Sequence, residues 1–447
     1  MEDKQYLDSM IRILWVACAL ISLNASAQTP SWWGKEVVST SMAANRPRVS
    51  TTDYNNAVLI WGEGPHLVAG VTAVGGIGAF MRTDTINLTG HSVSISFWHG
   101  PEIASRGTDT VYVVYKVAPE ADTSHHIYCA ASFDGGYHFG LPKRVDFIGN
   151  HMGRMPTVAI GPGGHPIVAY MKSNLNYTDP QWVIATSQDY GQTFQPEVQA
   201  SSDHSALAEA CDCCPAALVV SDSTVHLAYR DNLQNQRNIR VASGSLAGGT
   251  YQSISVDPQP WMVNACPASG PDIVADGDSL YSTFLNGNSS DEVFWSRWQM
   301  GDTTALVQGI ASTSMAQNYP RIDARFGQKM MVWKTGAGTQ AKVQARLHLL
   351  DTLFAFDVDT GTVNVPDVAV SGQGAFVVWH EVLEKRIYLK RLFYQTIGLP
   401  ESVVSPSRQL LHTVDLYGRL VDTTQIPSGI YIQWYSDGSY EKVWLDE

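Results

Sequence analysis

Residues 156–170 read PTVAIGPGGHPIVAY: a proline, a short β-rich run, a Gly-rich turn, and a second apolar run that ends in an aromatic. The same order recurs along the chain. It appears as PRVSTTDYNNAVLIW (Pro47 to Trp61), PEIASRGTDTVYVVY (Pro101 to Tyr115) and PAALVVSDSTVHLAY (Pro215 to Tyr229). It returns as PDIVADGDSLYSTF (Pro271 to Phe284), PRIDARFGQKMMVW (Pro320 to Trp333) and PDVAVSGQGAFVVW (Pro366 to Trp379). Successive prolines lie 54, 55, 59, 56, 49 and 46 residues apart, so one structural unit is being repeated.

Each copy reads as a hairpin whose second strand is apolar on both faces and therefore needs cover on both sides. A third β-rich run follows in several copies, such as HHIYCAAS, QWVIATS, NIRVAS and RIYLKRL, and a fourth precedes the next proline, as in PKRVDFI and QPEVQAS. Four antiparallel strands repeated radially make a β-propeller, and seven copies make seven blades. Ahead of the first proline, residues 34–41 (GKEVVSTS) stand where a fourth strand stands ahead of every later one. The expectation is an all-β, seven-bladed propeller whose last blade is completed by this N-terminal strand. Closure removes the sheet edges that invite aggregation.

SQDYGQTF, residues 187–194, falls where the third strand of copy three turns into the fourth, and SFDGGYHF, residues 132–139, holds the same place in copy two. GSLAGGTY, residues 244–251, is a decayed version in copy four. Ser187, Asp189, Gly191 and Phe194, with Asp134 and Gly136, suit a folding role. The carboxylate accepts backbone N–H groups within the turn, the glycine takes φ > 0, and the aromatic anchors the turn in apolar packing. These stretches resemble the Asp-box, or bacterial neuraminidase repeat, of sialidases and related propellers. The resemblance implies a sialidase-like propeller, with six blades as the alternative count because six are usual in that family.

The chain has 447 residues with a formal net charge of −13, and no Lys/Arg run that would hold a nucleic-acid backbone. Residues 10–27 (MIRILWVACALISLNASA) show a basic start, an apolar run and an A-S-A exit, so residues 1–27 read as a secretory signal, with Met1 or Met10 as the start. No other stretch reaches the ~20 apolar residues of a membrane span. The end of the chain, HTVDLYGRLVDTTQIPSGIYIQWYSDGSYEKVWLDE, resembles the C-terminal sorting domain of the type IX secretion system of Bacteroidetes, through Asp415, Gly418, Arg419, Gly429, Tyr431 and the final EKVW. The expected layout is a signal (1–27), a propeller (28–398) and a sorting domain (399–447). It implies a monomer that is secreted or held at the outer cell surface, with the secretion machinery as one partner.

In a propeller, loops entering the first strand and loops joining the second to the third share one rim around the channel, the default ligand site. The candidates there are Arg46, His99, Arg154, Lys172, Arg230, Asp231, His380 and Glu381. Cys211, Cys213 and Cys214 enter blade four and Cys266 enters blade five, so adjacent blades bring four sulfurs together. The readings left open are disulfides (Cys266 with one of the three, and a second bond within CDCC), a zinc or copper site that His204 can join, or a reactive thiol. No other cofactor is expected, and Cys129, on a third strand, is expected to be buried and inert.

The sialidase resemblance further implies an arginine triad that clamps a carboxylate, a Tyr nucleophile activated by Glu, and an Asp acid/base. Arg46, Arg48, Arg154, Arg230 and Arg321 lie near rim loops, but the family's early F-R-I-P motif is absent and NRPRVS matches it only loosely. No Tyr–Glu pair is assignable, so no catalytic residue is named. Three functions remain: an extracellular glycan- or surface-binding module, exo-sialidase-type hydrolysis, and metal or redox handling at the cysteine rim.

Overall fold

The computed structural model describes residues 30–73, 76, 80–120, 126–257, 259–310, 313–349, 352–394, 410–414, 429–435 and 440–445. They divide into two compact units, the larger running from Trp32 to Leu392. The larger unit is a seven-bladed β-propeller of antiparallel sheets, each starting at the channel and ending outside. Blade three shows the plan: Met152–Ile160, Pro166–Ser173, Gln181–Thr186 and Val198–Gln199 pair in sequence. Second strands are buried along nearly their whole length, as in Thr110–Lys116 and Ser279–Asn286, because neighbouring blades cover both faces.

The ring closes as expected. Glu36–Ser39 pairs with Arg386–Phe393 of blade seven, with Val37 opposite Tyr388. Neighbouring blades are also stitched at their inner strands. Asp367 accepts the Val49 N–H at 2.9 Å, Asp272 the Ile322 N–H at 2.9 Å, and Asp323 the Val370 N–H at 2.6 Å.

The turn at 187–194 is a self-satisfied hydrogen-bond unit. Ser187 Oγ donates to Asp189 Oδ1 at 2.8 Å and accepts from Gly191 N at 2.9 Å, while Asp189 accepts from Thr193 N at 2.9 Å and Thr193 Oγ1 at 2.6 Å. These bonds, the Thr193 hydroxyl foremost, hold the Asp189 carboxyl at about 2. Phe194 is buried in the core between blades two and three. The turn at 132–139 repeats the pattern through Ser132, Asp134, Gly136 and His138. Gly136 there has φ of 92°, and a Cβ on it would lie 2.5 Å from Val58 Cγ1.

The smaller unit contains a three-stranded antiparallel sheet, Leu410–Val414, Gly429–Tyr435 and Tyr440–Leu445. The signal reading (1–27), the boundary at 398/399 and the motif residues Asp415, Gly418 and Arg419 lie outside the described residues. Among the described residues no helix is long and apolar enough to cross a membrane.

Candidate functional site at the channel mouth

The repeating proline builds the site. In blades one, three, six and seven the inner strand carries a register shift at the proline, and the residue before it is left-handed: Arg46 (φ 46°), Met155 (φ 49°), Tyr319 (φ 52°) and Val365 (φ 41°). Such a bulge re-aims successive side chains. Arg46 and Arg48 in blade one, and Tyr319 and Arg321 in blade six, therefore line the same opening as Trp98 and the loops around Pro215 and Gly270. The opening holds about 400 Å³ of atom-free space, part of it open solvent.

Its floor is an ion cluster. Glu102 accepts from Arg46 Nη2 at 2.6 Å, Arg48 Nε at 3.0 Å and Arg321 Nη2 at 3.2 Å. Arg321 Nε also lies 2.8 Å from Asp367 Oδ1 and 3.3 Å from Asp272 Oδ2. Burial alone would raise Glu102, but the three guanidiniums, Arg48 most strongly, hold it at about 2. Burial and the neighbouring Arg48 bring Arg46 down to about 9. Burial pushes Asp272 upward. Three arginines thus face three carboxylates, and the cations are desolvated and fixed without an exposed counter-ion.

A second group sits beside the first. Glu120 Oε2 lies 3.3 Å from His99 Nε2 and 3.4 Å from Arg154 Nη2, and Arg154 Nη1 donates to the Asp212 carbonyl at 2.9 Å. Arg154 stacks over Tyr177 at 4.8 Å, and Trp98 meets His99 edge-on at 4.3 Å. Burial, with Arg46 and Arg154 nearby, drops His99 to about 3, so its ring is neutral at physiological pH.

Of the sequence candidates, the structure gathers Arg46, His99 and Arg154 on one rim sector. Arg230 is fully buried and spends its donors on the Ser269, Arg237 and Leu285 carbonyls, stacked on Trp261 at 4.9 Å. Asp231 pairs with His204 Nε2 at 3.0 Å, which turns that histidine to the carboxylate rather than the sulfurs. Lys172 pairs with Glu197 at 2.7 Å. Glu381 accepts from the Thr362 hydroxyl and backbone N–H, and burial lowers His380. Glu102, Asp272, Asp367 and Tyr319 were missed. The sequence did carry a signal: the residue after each repeat proline alternates in charge from Asp272 through Arg321, Asp367 and Arg48 to Glu102, with neutral Thr157 and Ala216 in the other two copies.

The cysteines do meet. Cys213 and Cys266, 53 residues apart, form a disulfide with Cα atoms 6.0 Å apart. A close approach of the two loops permits it, since a Cβ on Gly270 would lie 1.9 Å from the Pro215 carbonyl oxygen. Cys211 and Cys214 are buried free thiols with sulfurs 3.1 Å apart, and Trp98 packs on this cluster. Cys129 is buried, which pushes its thiol up and leaves it unreactive.

No protein-family model matches the sequence, and no curated protein sequence matches it either. Solved structures resemble it in fold. A protein of unknown function from Dyadobacter fermentans matches at 11% identity and TM-score 0.48, covering 82% of this chain and 99% of that one. A mutant Trypanosoma rangeli sialidase with trans-sialidase activity matches at 11% identity and TM-score 0.47 over 69% of this chain and 54% of that one. A PL25 ulvan lyase matches at 9% identity and TM-score 0.47 over 80% and 94%. At such identities the likeness is one of fold.

Proposed function

We propose that the protein is an extracellular glycan-binding propeller whose channel mouth takes an acidic sugar. One observation supports this most: Arg46, Arg48 and Arg321 converge with Tyr319 and Trp98 around a single opening. Aromatic faces pack against the apolar face of a sugar ring, and guanidinium edges meet a carboxylate. Binding fits the site better than hydrolysis does. Glu102, held at about 2, is ionised near neutrality and His99, at about 3, is neutral there, so neither is the proton donor a hydrolase needs. Each arginine is already fixed by a carboxylate, which preorganises the cations and limits affinity.

The serine–aspartate turns at 132–139 and 187–194 support membership among Asp-box propellers, and residues 1–27 and 399–447 support export through a signal and a type IX sorting tail. Calorimetry with N-acetylneuraminic acid and with galacturonate oligomers tests the site. Binding that Arg46→Ala and Tyr319→Ala each weaken supports the reading. Steady release of fluorophore from a sialoside, abolished by Tyr319→Phe, would instead make the protein a hydrolase. No binding to any acidic glycan would remove the proposal.

A further inference from the structure

The four sulfurs between blades four and five are not equivalent. Cys213 is bonded to Cys266, whose side is exposed, while Cys211 and Cys214 are fully buried. Cys211 Sγ sits 3.1 Å from Cys214 Sγ and 3.6 Å from Cys213 Sγ, so one sulfur contacts both its C-x-x-C partner and the disulfide. Arg237 Nη1 donates to it at 2.9 Å, whereas the nearest oxygen of Asp212 is 3.9 Å from that nitrogen. Arg237 Nε is taken by the Val263 carbonyl at 3.1 Å and the Asp212 carboxylate is half exposed, so the Cys211 sulfur is the nearest buried group that can carry the counter-charge. With both thiols protonated Cys211 donates to Cys214, and when the pair loses one proton the Arg237 contact places the charge on Cys211. The Cys214 thiol, aided by Arg230 and Arg237, brings Cys211 down to about 6. Burial sends Cys214 the other way. A nucleophilic thiolate, a protonated resolving thiol and a disulfide in contact are the parts of a thiol–disulfide exchange site.

We propose that these cysteines form such a site, passing two electrons from the buried Cys211/Cys214 pair through Cys213–Cys266 to a low-molecular-weight disulfide in solution. Cys211 thiolate attacks Cys213 Sγ. The Cys211–Cys213 bond forms, the Cys213–Cys266 bond breaks, and the electron pair leaves on Cys266, which takes a proton from solvent. Cys214 then attacks Cys211 while its proton passes to the departing Cys213 sulfur, within 4.8 Å, forming Cys211–Cys214 and releasing Cys213 as a thiol. Cys266, deprotonated, attacks the external disulfide and expels one thiolate, and Cys213 resolves the mixed disulfide and expels the second. The balance is one disulfide reduced to two thiols and one new protein disulfide formed. Because Cys211 and Cys214 are sealed from solvent, Cys266 is the entry. This site is independent of the sugar-binding reading.

The test uses the full chain and glutathione disulfide, with acid quenching, alkylation and peptide mapping. The expected result is one glutathione disulfide consumed per chain, two glutathiones released, and a Cys211–Cys214 peptide alongside Cys213–Cys266. Cys213→Ser should trap glutathione on Cys266. Cys266→Ser should leave Cys211 and Cys214 as thiols, and Arg237→Gln, which leaves every sulfur in place, should react roughly tenfold more slowly at pH 6 because the thiolate population falls. Thermal melts confirm that each variant is folded at the assay temperature. Equal oxidation of Cys211 and Cys214 in wild type and Cys266→Ser would overturn the proposal. So would full retention of rate in Arg237→Gln, or one equivalent of zinc or copper bound through these sulfurs.

Discussion

Replacing Glu102 by Gln keeps the shape of the channel floor and deletes the charge on which three guanidiniums converge. Wild-type Glu102 is brought from 4.5 to about 2. A shift of that size corresponds to roughly 3 kcal/mol of preference for the ionised form. The same order, about 3–5 kcal/mol, is the usual result of removing one partner from a buried ion pair. Unfolding entropy of about 2.1 cal/mol/K per residue, over a unit the size of Trp32–Leu392, converts this to a Tm lower by roughly 4–7 °C at pH 7. The sign with pH follows from the direction of the shift. A carboxyl lowered by folding stabilises fully above its unfolded value and loses that contribution as pH falls from 4.5 towards 2. The difference between wild type and Glu102→Gln should therefore shrink below about pH 4. Differential scanning calorimetry from pH 3 to 8 reads both effects. A Tm change under about 1 °C at pH 7, or a difference that does not narrow in acid, would show that the arginines do not depend on this carboxylate.

Other perturbations separate the remaining claims. Asp323, buried and raised to about 7, stabilises most when protonated, so its contribution is lost as pH rises from 3.8 to about 7. Asp323→Asn should flatten the Tm profile over that window, and an unchanged profile would count against it. Gly136→Ala should cost about 2–4 kcal/mol by combining left-handed strain with a clash against Val58, whereas Gly107→Ala, also left-handed but with open space, should cost about 1–2 kcal/mol in chemical denaturation. Deleting residues 30–40 should leave the Arg386–Phe393 edge unpaired, lowering Tm and producing aggregates on size exclusion. An unaltered, monodisperse profile would mean the ring does not need its closing strand.

Local regularity made the architecture readable. A proline, a turn and a doubly apolar strand recur at nearly constant intervals, and each copy obeys the same steric rules, so blade number, strand order and the closing role of Glu36–Ser39 could be counted along the chain. The Ser187–Asp189–Gly191 turn was equally legible, because its hydrogen bonds close within a few residues. The meeting of Cys213 with Cys266 followed from blade adjacency, though not the choice among three cysteines.

What the amino-acid order determined by itself, then, was the repeat and everything that closes within one copy of it. Only the tertiary structure decided which charges face each other across the channel. Arg321 of blade six reaches Glu102 of blade two, more than 200 positions away by chain order, and no local rule ranks that partner above the carboxylates of its neighbours. Arg230 and Arg154 look alike in sequence, yet one is consumed by carbonyls inside the wall and the other stands at the rim. The physical reason is that desolvation and pairing are properties of a position in space, set when seven inner strands converge on one axis.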